Sequence, residues 1–377
     1  MKANSLQQVA ILLLLSAAFP VKVYCLDASS QWQSTIEAGN KTESSGKFDE
    51  AEKSYRSAIS MAEKFPQPDI RLALSLNNLA MLCVSRAKND QAESLYKRAI
   101  SILNKVSSPP EVLPYKMKCL SGCLGGLGAV YAQQAKYELA ISTFKQAIEL
   151  SKKNPSETGI ATVSAMINLS YVYQKRKQFA ESTPILQTAL SLIEKSPGTR
   201  EDKDLMRLKL LNNLANNWIV EGKYSEAEST INKAIAIMQA RGTLTHPDMG
   251  ELYKTLGTVY YMQGKLEPAK EWSLRAFEIE EATLGTDNPK VASSMNNFAV
   301  LLMNKKDYEG AEALLRRAIA ILEKSLGLSH PDLSQPMSNL VLLLKTTNRE
   351  VEAVELEQRL TEIKITGQPS KTKESSR

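Results

Sequence analysis

Histidine is almost missing from this chain, which has only His246 and His330 in 377 residues. No set of His, Cys and carboxylate ligands stands at metal-binding spacing, and neither His has a Ser, Cys or Asp partner in a catalytic sequence context. Gly-rich phosphate loops and nucleophile elbows are also lacking. The chain therefore reads as a non-enzyme that calls for no cofactor. Blocks of like charge are missing too. The 47 Lys and Arg are interspersed with 41 Asp and Glu, for a formal net charge of +6. Without a basic stripe there is little electrostatic grip on nucleic acid. Long apolar runs are limited to Val9–Phe19, whose eleven residues underfill a bilayer.

That run follows Lys2 and precedes Pro20, Lys22 and a polar start at Asp27. This is the layout of a secretory signal peptide over residues 1–25, with cleavage after Cys25 or near Ala28. An uncleaved membrane anchor is the alternative, and Lys22-Val23-Tyr24 is a poor approach to a lipidated Cys. The expectation is export, to the periplasm or outside, as a mildly basic mature chain with no stable membrane span. Three Cys then remain, Cys83, Cys119 and Cys123. An odd count argues against a disulfide framework. Cys119 and Cys123 are four apart on one helix face and read as small core residues; a redox or metal pair would need further ligands nearby.

What the sequence does contain is an echo. An Ala is followed seven residues later by a second small or apolar residue, and the pair recurs along the chain: Ala51/Ala58, Ala92/Ala99, Ala140/Ala147, Ser182/Ala189, Ala227/Ala234, Ala269/Ala276, Ala311/Ala318 and Ala353/Leu360. Successive pairs lie 41, 48, 42, 45, 42, 42 and 42 residues apart. A period of this length marks stacked helical hairpins, since one hairpin cannot bury its apolar face alone. The spacing predicts an all-α solenoid of about eight antiparallel helix pairs over residues 29–365. The repeats are placed at about 31–65, 69–106, 112–153, 158–196, 202–241, 246–285, 288–327 and 330–365.

Within a repeat, Leu210, Leu211, Leu214, Ala215 and Trp218 form one apolar stripe on a first helix. Gly222-Lys223-Tyr224 breaks that helix, and Ala227, Ile231, Ala234 and Ile235 line the second. Small Ala lets the two axes approach closely. Pro247, Pro289 and Pro331 sit at first helical positions, which makes the preceding His246, Asn288 and His330 capping residues. The junctions Ser107–Glu111 and Ser196–Arg200 are longer than the rest and read as turn-rich insertions. Residues 367–377 lack apolar periodicity and read as a disordered tail. The last repeat reads as a cap, because Glu357 stands where earlier repeats carry Tyr55, Tyr96, Phe144 or Ile231.

The stretch from Leu284 to Asp332 carries Asn296-Asn297-Phe298-Ala299, then Tyr308, Ala311-Glu312, Arg317-Ala318-Ile319 and Leu326-Gly327. This pattern strongly resembles the 42-residue tetratricopeptide repeats of kinesin light chains, and the resemblance covers about residues 31–365. It implies a right-handed superhelix whose first helices line a concave groove that holds an extended peptide of a partner. Motor function does not follow, since the heptad coiled coil of light chains is absent here.

Asn recurs fourteen residues before the packing Ala or Ser, at Asn78, Asn168, Asn213, Asn297 and Asn339, with Asn77, Asn212 and Asn296 just ahead of three of them. Asn is a poor mid-helix residue, because its amide competes for local backbone bonds. Its recurrence therefore needs a reason. The resemblance implies that such Asn bond the main chain of a ligand, while the competing reading is a structural ladder bonding the next hairpin. Lys209, Asn212 and Asn216 continue the line in the fifth repeat, and Lys254 with Thr255 and Thr258 in the sixth. The candidate peptide-binding set is Asn78, Asn168, Lys209, Asn212, Asn213, Asn216, Lys254 and Asn297. Two Lys among amides favour a partner bearing carboxylates. The third repeat departs from the pattern with Gly122, Gly125, Gly126 and Gly128, which serve either close approach or merely weak packing. The expected function is a protein-binding scaffold; the alternative is an assembly factor docking through its convex face or ends.

Overall fold

The computed structural model describes residues 30–366 apart from 67, 108, 155–158, 197–198 and 243–245. The expected leader at 1–25 and tail at 367–377 lie outside the described residues, as do parts of both long junctions. The described residues form sixteen α-helices in consecutive pairs, without strands. None of these helices is long and apolar enough to cross a membrane.

Two compact units divide them, residues 30–210 and residues 211–366. The first holds α1 (Ser30–Ser44), α2 (Phe48–Ala62), α3 (Ile70–Ser85), α4 (Asn89–Lys105), α5 (Leu113–Gln133), α6 (Tyr137–Lys152), α7 (Ile160–Lys175), α8 (Phe179–Lys195) and the start of α9 (Arg200–Val220). The second holds the remainder of α9, then α10 (Tyr224–Ala240), α11 (Pro247–Met262), α12 (Leu266–Leu284), α13 (Pro289–Asn304), α14 (Tyr308–Leu326), α15 (Ser334–Thr346) and α16 (Glu350–Thr366). Odd-numbered helices are the first of each pair and even-numbered helices the second. A short 3-10 turn, Pro331–Leu333, leads into α15.

The small residues at the echo positions are all buried, as are Tyr55, Tyr96, Phe144, Leu186, Ile231 and Leu315 four residues after the first of each pair. Each such side chain needs a gap on the facing first helix. The gap is a small residue twelve positions before the packing Ala: Gly39, Ala80, Gly128, Ser170, Ala215, Gly257 and Ala299 are all buried there. At Gly39 a Cβ would lie 2.5 Å from the Tyr55 ring, and at Gly128 it would lie 2.8 Å from the Phe144 ring. Small and large thus interlock within a hairpin, as close packing requires.

One residue per hairpin turn adopts a left-handed conformation: Gly46, Ala87, Ala135, Lys177, Gly222, Gly264, Lys306 and Asn348. In the first turn the Lys47 amide donates to Thr42 O and the Gly46 amide to Glu43 O, a paired closure that satisfies carbonyls left over at the helix end. Helix starts are capped as the sequence implied. Asn288 Oδ1 accepts from the Lys290 amide at 2.9 Å, and the Nδ1 atoms of His246 and His330 accept from the amides of Asp248 and Asp332 at 3.2 Å.

Neighbouring hairpins are also keyed by charge. The Glu after the packing Ala takes a base from the next turn: Glu52 takes Arg86 at 3.0 Å, Glu93 takes Lys136 at 3.0 Å, and Glu312 takes Arg349 at 2.6 Å. These pairs lie at the surface with the Glu partly covered, so each is worth a few tenths of a kcal/mol to about 1 kcal/mol and mainly fixes orientation. The two long junctions are not spent wholly on loop. Both α5 and α9 run for 21 residues, against 16 in α3, α7, α11 and α13.

Candidate functional site: the asparagine columns of the first helices

In the 211–366 unit the Asn columns bond from one first helix to the next. Thr255 Oγ1 on α11 donates to Asn212 Oδ1 on α9 at 2.8 Å. Asn339 Nδ2 on α15 donates to Asn296 Oδ1 on α13 at 2.7 Å, and Asn296 Nδ2 in turn reaches Asn297 Oδ1 at 3.4 Å. In these two steps the residue fourteen before the packing Ala donates to the residue fifteen before it in the preceding repeat, whereas Asn297, at the same position on α13, donates to no described residue of α11. Asn212, Asn296 and Asn339 thus form a ladder between hairpins.

The ladder leaves some amides unspent. Asn297 is half-buried, and its Nδ2 has no partner among the described residues; Asn216 is exposed on the same face of α9 as Asn212 and Asn213, which are half-buried. In the 30–210 unit Asn77 Oδ1 accepts from the Cys123 thiol at 3.4 Å, and the adjacent Asn78 stays half-exposed. Asn168 is only 4% exposed, yet its Oδ1 has no partner among the described residues. Lys209 is half-buried near the end of the 30–210 unit.

Lys254 does not present a free cation. Its Nζ lies 2.6 Å from Glu251 and 3.5 Å from Glu280, with the Lys254 side chain largely covered. Glu280 is 1% exposed and also accepts from Ser294 Oγ on α13. Burial works against the lysine charge, but Glu251 and Glu280 outweigh it and hold the Lys254 pKa above its ordinary value. Burial likewise opposes the Glu251 charge, and Lys254 overrides it, so that carboxyl sits below its usual range. For Glu280 burial wins and its pKa is raised. Gly250 admits this acid, since a Cβ there would lie 2.6 Å from Glu280 Cγ. Sequence reasoning passed over Glu280, although aligning the repeats exposes it. Eleven residues past the packing Ala or Ser, other repeats carry Ala62, Leu103, Ile193, Met238 and Leu322.

The glycines of α5 serve close approach. A Cβ at Gly126 would meet the Tyr96 ring at 2.3 Å, which explains why Asn is missing from that column in the third repeat. The three cysteines are free. Burial pushes the Cys119 thiol up to about 12 and raises those of Cys83 and Cys123, so at neutral pH they remain protonated and are poor nucleophiles.

Tetratricopeptide repeat sequence profiles match residues 42–105, 122–201, 206–282 and 291–332, and the chain belongs to the tetratricopeptide repeat family. Solved structures of the same fold include BtubC (BKLC) from P. vanneervenii, which is 21% identical, with 64% of this chain and 97% of that one covered at a TM-score of 0.52. The apo quorum sensor NprR from B. thuringiensis is 13% identical over 88% of this chain and 87% of its own, at a TM-score of 0.66. A putative kinesin light chain of Podospora anserina is 22% identical, covering 55% of this chain and 97% of its own at a TM-score of 0.43. The curated proteins contain no match. The family is generally a non-catalytic scaffold that binds protein or peptide partners, and no enzymatic family is indicated.

Proposed function

We propose that this protein is a non-catalytic scaffold that seats an extended segment of a protein partner on the face formed by its first helices. The observation that carries this reading is Asn297, which is half-buried with its Nδ2 unmet among the described residues. A mid-helix Asn is costly, and Asn297 keeps an unspent amide donor there. In the 211–366 unit the unspent amides of Asn216 and Asn297 offer donors and acceptors to a main chain of any sequence, and in the 30–210 unit Asn78 offers the same on its own first-helix face. Lys209, Asn212 and Asn213 extend the same face along α9. The acidic-partner version loses support at Lys254, whose charge is already compensated.

Selection of a random peptide library on the immobilised full chain tests this. Retained peptides are expected, and Asn216→Ala together with Asn297→Ala should abolish their retention while leaving the melting temperature unchanged or higher. Retention of nothing, or retention indifferent to both substitutions, overturns it.

A second reading rests on α16, where Val351 is 76% exposed and Val354 is also exposed, so the C-terminal end is less polar than a cap requires. On this reading the end docks a second copy. Sedimentation of the wild type beside Val351→Lys checks it, and a monomer in both sinks it. Export is proposed from the Val9–Phe19 run alone; the intact mass of the native protein tests it, and retention of Met1 would overturn it.

A further inference from the structure

The first helices of the 211–366 unit are nearly devoid of charge. Five charged side chains occur in α11, α13 and α15 together: Asp248, Glu251, Lys254, Lys290 and Lys345. The partner helices α12, α14 and α16 carry twenty. Of the five, Asp248 and Lys290 sit in first turns, Lys254 is held by Glu251 and Glu280, and Lys345 is held by Glu357 at 2.7 Å. No uncompensated charge stands mid-helix.

Apolar side chains take their place. Val220 is 58% exposed, Met262 44% and Leu342 58%. Singly these would be ordinary surface residues. They are in register, however: Val220 and Met262 are one repeat of 42 residues apart, and so are Val300 and Leu342, one helical turn earlier. Adjacent first helices touch at this level, since Asn304 Nδ2 on α13 donates to the Tyr261 hydroxyl on α11 at 3.4 Å. An apolar rail therefore runs beside the amide ladder marked by Thr255, Asn296 and Asn339, about one or two helical turns away.

We infer that the first-helix face of residues 211–366 takes an uncharged extended segment, with its main chain on the amides and its apolar side chains on Val220, Met262 and Leu342. The inference rests on the groove reading above and adds the chemistry of the occupant. Charge complementarity decides it. A carboxylate or ammonium brought onto this face would lose water and find no counter-charge, which is costly, whereas amides and apolar contacts are met in kind.

The test uses three random peptide libraries on the immobilised full chain, one of uncharged residues only, one rich in Asp and Glu, and one rich in Lys and Arg. The uncharged library should be retained best, with little dependence on salt. Met262→Glu with Leu342→Glu should lower its retention about tenfold or more, the loss expected when about 1.4 kcal/mol of apolar contact is removed. Met262→Ser with Leu342→Ser repeats the test without adding charge. Both positions are exposed, so an unchanged melting temperature verifies the fold. Preferential retention of a charged library, lost on Asn297→Ala, overturns the inference and leaves the groove reading standing. Retention of no library, or retention indifferent to Asn297, Met262 and Leu342 alike, overturns both.

Discussion

The two units solve one packing problem in opposite ways. Nineteen residues before and eleven after the packing Ala, the 30–210 unit places Ser121 and Ser151, whose hydroxyls share a hydrogen bond of 2.6 Å. At the same two positions the 211–366 unit places Gly250 and Glu280. A small neutral pair closes on itself. The glycine and glutamate pair instead leaves a buried acid that must recruit Lys254 from its own hairpin and Ser294 from the next. One repeat position therefore tolerates either polarity, provided that total volume is kept and every polar atom is met.

The largest expected break in this comparison is Lys254→Met. It strands the Glu280 charge in the interior and should cost about 3–5 kcal/mol of stability in urea denaturation, whereas Lys254→Met with Glu280→Met should return close to wild type. Ser151→Ala in the other unit should cost only about 1 kcal/mol, because Ser121 Oγ still reaches Ala147 O at 3.3 Å. Between these fall the glycines of α5. Gly126→Ala drives a methyl group into the buried Tyr96 ring and should cost about 1–3 kcal/mol, while Gly122→Ala meets nothing within 4 Å and should gain about 0.5–1 kcal/mol.

pH separates the units further. The folded Lys254 pKa is raised, so its contribution is complete below the ordinary value of 10.5 and is lost as pH rises through the higher folded value. Melting of the 211–366 unit should fall in that alkaline window, and the fall should be smaller in the Lys254→Met, Glu280→Met double variant. The smallest effect belongs to the turns. Ala135 holds a φ of 57°, where an L side chain costs about 1 kcal/mol, so Ala135→Gly should raise stability by at most that much in the same urea assay.

Much of the architecture was legible in the letters. The Ala echo marks positions that are closed to solvent, and the capping by His246, Asn288 and His330 follows from Pro at the next residue. Five of the eight left-handed turn residues are not glycine, however, and Ala87 or Lys177 gave no sign of it. The candidate site was legible only as a position on a helix. Sequence spacing places Asn212 and Asn296 on the first-helix face but cannot say that Thr255 and Asn339 reach across to them. Lys254 was read as favouring a partner with carboxylates, because Glu280, the buried acid that helps to compensate it, lies 26 residues away on another helix. The glycines of α5 were ambiguous for the same reason, since the Tyr96 ring that needs Gly126 belongs to the preceding repeat.

The Glu280 cluster draws its members from α11, α12 and α13, so it straddles a repeat boundary. This hairpin is consequently not an interchangeable brick. Duplicating it, or splicing it into a designed array with a cut at His246 and another at Asn288, would carry the acid and its lysine but leave Ser294 behind. Shuffling of this gene's repeats is therefore constrained to blocks larger than the period that its letters advertise.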